Sequence, residues 1–210
     1  MKILVIGSTG GLGRELVLQG VAAGHDVTAM ARGTPAGDIP SGVRLALGDV
    51  LDRGTLDRAV TGQDAVIVAI APKLRFRQRT VIFSTGARNL QAAMEESGVS
   101  RLLWTTSAAV DPDNLAATGF FFSRIFEPLF LSGVYADCAR SEEILSSSPL
   151  KWTFVRPSRL TDGPATSVYR VGAWQTPQGG QTISRADVAA FMLGELIANA
   201  HTRSAPTLAY

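Results

Sequence analysis

The chain has 210 residues, 46% of them hydrophobic, enough for a sizeable core in one domain spanning 1–210. A formal net charge of +2 is too small to argue for a nucleic-acid partner, and the one cysteine, Cys138, excludes an internal disulfide and a cysteine-rich metal site. No apolar run reaches the roughly 20 residues of a membrane span, and the first one stops at Gly7, short of a signal peptide. Together with the single thiol this points to a reducing compartment, the cytoplasm.

Apolar runs then alternate with helical patterns. Residues 2–6 predict a buried strand and 12–23 a helix stopped by Gly24. Strands are expected over 26–32 and 43–47, a short helix over 55–60, and a strand apolar on both faces over 65–71. A long helix over 80–97 ends at Gly98; a strand over 101–107, a helix over 134–147 and a strand over 152–155 follow. Ser184 opens a last helix, to about Ala198, with Asp187 at the reciprocal capping position. This alternation implies an α/β fold, a doubly wound parallel sheet. The irregular stretches 111–133 and 157–182 both follow strands, so they are expected to cover the carboxyl edge of the sheet, where such folds bind ligands.

The segment "GSTGGLG", 7–13, carries four glycines in seven residues between a strand and a helix. Gly7 permits a sharp turn, Gly10 lets a pyrophosphate approach the backbone, and Gly13 lets the helix pack on the sheet. The helix N-terminus adds N–H groups and a positive dipole end. The spacing is G-x-x-G-x-x-G rather than the commoner G-x-G-x-x-G, but its context is that of a dinucleotide site. The second strand ends in Arg32, with no carboxylate before Asp38. An arginine there accommodates a 2′-phosphate, so NADP(H) is the expected cofactor. Asp49 in "GDV" is placed to accept from the adenine amine, or it is a turn aspartate.

These segments, with "GQDAVIV" (62–68), "GARNLQAAM" (86–94), "TTSA" (105–108) and "ISRADVAAFML" (183–193), resemble the atypical branch of the short-chain dehydrogenase/reductase superfamily. The similarity is closest to the biliverdin-IXβ reductase/flavin reductase family. It implies a Rossmann-like monomer that binds NADPH and passes hydride to a flavin or a linear tetrapyrrole; a quinone is a further flat acceptor open to such a site. The implied cofactor contacts are Gly7, Ser8, Thr9, Gly10, Gly11, Leu12 and Gly13, then Arg32, Asp49, Val50, Ala69, Ile70, Ala71 and Pro157. Ser107 stands where family members keep a serine at the nicotinamide edge; it faces the acceptor or bonds its own backbone.

The chain departs from the family's Tyr-x-x-x-Lys pair. Tyr135 is followed by Ala139 one turn on, and Arg140 lies about 100° off that face. Tyr135 is thus a pocket wall, a weak hydroxyl donor or a surface tyrosine. Arg159 replaces the histidine that biliverdin-type relatives carry after the sixth strand, which disfavours tetrapyrroles. With His25 and His201 far apart, no metal site is expected.

Two segments bear on the acceptor. "KLRFRQR" (73–79) offers Arg75 to an anionic flavin, or is a solvated loop. "GFFFSRIFEPLF" (119–130) offers Phe120, Phe121 and Phe122 as walls for a flat ring, or as an interface. Candidate acceptor contacts are therefore Arg75, Phe121, Phe122 and Arg159. The reading from another class is a non-catalytic NADP-binding sensor.

Overall fold

A computed structural model describes residues 1–33, 40–72, 76, 79–116 and 127–210. In chain order the elements are β1 (Lys2–Ile6), α1 (Gly11–Ala22), β2 (Asp26–Ala31), β3 (Arg44–Leu47), α2 (Arg53–Val60), β4 (Ala65–Val68), α3 (Ile82–Ser97) and β5 (Arg101–Thr105). A 3-10 turn (Ala108–Val110), α4 (Pro112–Ala116), α5 (Glu127–Phe130), α6 (Ser132–Ser146) and β6 (Lys151–Pro157) follow. The remainder is β7 (Arg159–Thr161), β8 (Arg170–Ala173), β9 (Thr182–Ser184), α7 (Arg185–Ala198) and β10 (Pro206–Ala209).

The main sheet runs β3-β2-β1-β4-β5-β6-β10-β8. All its pairings are parallel except β10 with β8. Strand side chains alternate between two cores. Leu4, Ile6, Val66, Val68, Leu102 and Trp104 meet α2, α3 and α6; Ile3, Val5, Val27, Ala65, Ile67 and Leu103 meet α1 and α7. A strand buried on both faces needs apolar residues at every position, which is why β4 reads Ala-Val-Ile-Val. Trp152 and Phe154, two residues apart on β6, stack with ring centroids 4.2 Å apart. The fold is the doubly wound, Rossmann-like sheet expected.

The strands end earlier than their apolar runs. β4 stops at Val68 and β5 at Thr105, not at Ala71 and Ser107. Gly7 turns away at φ +86°, so the Ala69 N–H to Ile6 carbonyl bond closes that ladder. Ser107 leaves the sheet to cap the 3-10 turn, accepting from the Ala109 N–H at 3.2 Å. The short strands β7 to β10 arise in stretches that lack a readable period; β7 and β9 form a separate parallel pair.

Two buried polar knots hold α7. At the amino edge, Arg101 donates to Glu195 Oε1 at 3.1 Å and to Thr153 Oγ1 at 2.8 Å. Burial lowers the Arg101 pKa, and the Glu195 charge opposes that. At the carboxyl edge, Asp187 is fully buried. Its carboxylate accepts from the Thr166 N–H (2.9 Å), Thr166 Oγ1 (2.9 Å), the Ser167 N–H (2.8 Å), Ser184 Oγ (3.0 Å) and the Tyr210 hydroxyl (2.7 Å). Only half of the expected capping box forms. Ser184 Oγ accepts from the Asp187 N–H, but the Ser184 N–H donates to the Tyr210 hydroxyl. The carboxylate is drawn instead to the 166–167 loop, where it holds Ser167 at φ +56°.

Burial acts to raise the Asp187 pKa, and the hydrogen bonds from Tyr210, Ser167, Thr166 and Ser184 outweigh it, so the net shift is downward from 3.8. A depressed carboxyl stabilises the fold above its unfolded pKa and loses that contribution as pH falls through the folded value. Asp187→Asn is therefore expected to lower the melting temperature by roughly 5–10 °C at pH 7. The gap to the parent should narrow below pH 3.8. Thermal unfolding followed by circular dichroism at pH 7 and pH 3 checks both.

Candidate functional site

Where the strands part, their carboxyl ends enclose a cavity of about 530 Å³. The glycine turn forms one end. A Cβ on Gly7 would lie 2.4 Å from the Ala69 carbonyl oxygen, and one on Gly13 would lie 2.1 Å from the Gly7 carbonyl oxygen. Gly10 differs: its Cβ would meet protein no nearer than 3.5 Å. Helix α1 starts at Gly10 with no side-chain cap and no acidic residue in its first turn. Its leading N–H groups and dipole are thereby left to an anion. By contrast, α2 and α7 are capped by Asp52 and Ser184.

Gly7, Thr9, Gly10, Gly11 and Leu12 line the cavity, with Arg32, Asp49, Val50, Ala69, Ile70 and Ala71. Asp49 Oδ1 accepts from the Leu51 N–H at 3.0 Å, so it is a turn aspartate as well as a wall residue. Asn89 fixes that loop through the Val50 and Leu51 carbonyls. Four of the expected cofactor or acceptor positions are not in the wall. Ser8 is buried and donates to the Met30 carbonyl at 2.9 Å. Gly13 serves the helix-to-turn contact. Pro157 is buried at the end of β6, in register with Leu208. Arg159 is exposed at the start of β7, and its neighbour Leu160 lines the cavity instead. Arg75, Phe120, Phe121 and Phe122 lie outside the described residues.

Thr105, Thr106 and Ser107 form the other end, facing Leu131, Val134, Tyr135 and Cys138. Helix α6 is positioned by Asp137, whose buried carboxylate accepts from the Phe83 N–H (2.9 Å) and Ser84 Oγ (2.5 Å). It thus caps α3, which has no side-chain cap of its own. The Arg140 guanidinium pairs with Asp137 at 3.2 Å. Burial, with Glu142 and Asp137 nearby, pushes the Cys138 thiol above its ordinary pKa, so it is a neutral wall residue.

Sequence reasoning singled out Ser107 and missed Thr106. Thr106 Oγ1 donates to Glu142 Oε1 at 2.6 Å, and Glu142 forms a buried, bidentate ion pair with Arg156. A hydroxyl has one proton, so towards the cavity Thr106 offers lone pairs. Arg156 lies 5.3 Å from the Trp174 ring centroid. Trp174 sits at φ +72°, a strained region for a bulky residue. Its carbonyl accepts from Asn114 Nδ2 (3.3 Å) and Thr207 Oγ1 (3.0 Å). Arg185, also missed, lines the cavity beside Gly11.

The chain matches the family described as NAD(P)H-binding over residues 7–199. The 3-diazoavenalumate denitrifying reductase of Streptomyces sp is 29% identical over 186 residues, 82% of this chain and 60% of that protein. A solved structure from Burkholderia pseudomallei superposes with a TM-score of 0.83 at 26% identity, covering 100% of both chains. ChuY, an anaerobillin reductase from Escherichia coli O157:H7, superposes with a TM-score of 0.79 at 20% identity, covering 100% of this chain and 97% of that one. At that identity the likeness is one of fold. The chain spans 12% of the length of the first curated relatives it matches, uncharacterized mycobacterial proteins 34% identical over 107 residues, 51% of this chain.

The two glycines separate folding from binding. Gly13→Ala forces backbone to move and is expected to lower the melting temperature by several degrees, since overpacking costs about 1–3 kcal/mol. Gly10→Ala should leave the melting temperature within about 2 °C while weakening dinucleotide binding roughly tenfold or more. Calorimetric unfolding and titration with NADPH on the two variants read out the contrast.

Proposed function

The chain belongs to the NAD(P)H-binding family as an atypical short-chain dehydrogenase-like protein, and from that premise we propose that it is an NADPH-dependent reductase of a flat conjugated acceptor, a flavin above all. The observation that carries the reading is that one cavity runs from the glycine turn and Arg32 to Thr105–Ser107 and Tyr135. The same cavity thus offers a phosphate-binding turn and the hydroxyl and apolar side chains that an acceptor ring needs. The reductase names of the Streptomyces relative and of ChuY support the same class of reaction.

The chemistry NADPH would supply when bound there is a hydride from its nicotinamide. The protein's residues bind and orient. The uncapped start of α1 receives phosphate, and the open face of Gly10 admits it. Arg32, exposed just after β2, would meet a 2′-phosphate through a charge-assisted contact. Thr106, its proton committed to Glu142, accepts from an N–H of the acceptor or of the carboxamide. Leu131, Val134 and Cys138 give the ring an apolar wall. Proximity and orientation carry most of such a transfer. Water delivers the balancing proton, so the missing lysine partner of Tyr135 is tolerable.

Steady oxidation of NADPH with FMN, riboflavin or a quinone tests the proposal; tight binding without turnover with any of them overturns it in favour of a sensor. Arg32→Asp is expected to weaken NADPH roughly 10- to 100-fold and leave NADH nearly unchanged. Equal affinity of the parent for the two cofactors contradicts that assignment. Tyr135→Phe should keep flavin reduction within about tenfold of the parent. A loss of 10²–10⁴ in kcat at unchanged KM would mark the phenol as a true general acid.

A further inference from the structure

Gly7, Gly10 and Gly13 each have a reason, in backbone angle, open approach or helix packing. Gly11 has another. A Cβ on Gly11 would lie 2.8 Å from both Cδ and Nε of Arg185, and 3.6 Å from its Cζ. The side chain of Arg185 thus lies across the first residue of α1, 174 positions away in sequence. Arg185 is itself the first residue of α7. That helix start is fixed by the buried Asp187 two residues on. The guanidinium is held by Asp162, with Nη1 to Oδ1 at 2.6 Å, and the Asp162 side chain is 93% exposed. Arg185, Gly10 and Gly11 line the cavity together.

We propose that Arg185 clamps the pyrophosphate of the bound dinucleotide, and that Asp162 is the surrogate anion that holds the guanidinium in place until phosphate replaces it. The clamp rests on reading the glycine turn as the phosphate site. An ion pair with so exposed a carboxylate is weak, so giving it up costs little. A phosphate in the fork of a guanidinium is among the stronger charge-assisted contacts. The helix dipole already draws an anion to this turn, and Arg185 places a full charge over the same spot. Asp187 anchors the helix end that carries Arg185, so the clamp is pre-positioned. Its role differs from that of Arg32. The pyrophosphate is common to NADPH and NADH, so Arg185 governs affinity for both and selects neither.

Titration calorimetry with NADPH, NADH, ADP-ribose and 2′-AMP tests this. Arg185→Met is expected to raise the Kd of NADPH, NADH and ADP-ribose by roughly 10- to 100-fold. It should leave 2′-AMP, which has no pyrophosphate, within about twofold. Asp162→Asn should tighten ADP-ribose about two- to fivefold by removing the competitor. Gly11→Ala should displace the arginine and reproduce the loss, and Gly11→Ala with Arg185→Met should be no worse than either alone. The proposal is overturned if Arg185→Met, with an unchanged melting temperature, binds ADP-ribose as the parent does. It is equally overturned if 2′-AMP weakens in step, because Arg185 then shapes the cavity and not the phosphate contact. Since ADP-ribose cannot donate hydride, the clamp and the reductase reading fail independently.

Discussion

Helix α1 starts so close to the end of β1 that a Cβ on Gly13 would touch the Gly7 carbonyl oxygen, and a Cβ on Gly7 would touch that of Ala69. Three backbone segments therefore meet with no side chains between them. The turn has to bend at φ +86°, which ends the β1–β4 ladder at Ala69. The cavity lies beyond this point, lined by residues at the carboxyl ends of the strands.

The helices and loops around the cavity are held by carboxylates that bring distant segments together. Asp137 holds α6 against the start of α3, and Asp187 holds the 166–167 loop, the start of α7 and Tyr210. Glu142 joins β5 to β6 through Thr106 and Arg156. Each is buried and accepts several hydrogen bonds, which is the condition for keeping a charge inside a fold. The cavity is thus shaped by missing side chains at the glycine turn and held by ionic ones around it.

The sequence is informative where the signal is local. Alternating apolar runs gave the strands of the parallel sheet, and the glycine spacing located the turn. Arg32 and Asp49, singled out by their places at strand ends, line the cavity. What escaped was set by contacts across the fold. Nothing near Arg185 in sequence reveals that it lies on Gly11. "TTSA" offers three hydroxyls in a row, and only the early end of β5 decides that Ser107 caps a turn while Thr106 bonds Glu142. Asp187 reads as a capping residue because Ser184 is three positions before it; its other partners come from 166–167 and 210. The strands β7 to β10 are three or four residues long, and Pro206 at the head of β10 obscures it further.

Trp174 gives the molecule an optical property. Of the three tryptophans in the chain, Trp104 and Trp152 are buried in the core, while Trp174 is 47% exposed. Its indole lies over the Arg156 guanidinium, one ion pair and one hydroxyl from the Thr106 side of the cavity. Two of the three fluorophores are thus shielded from aqueous quenchers, and the third reports on the polar chain behind Thr106. An aqueous quencher therefore reaches Trp174 in preference to the two core rings, without any label.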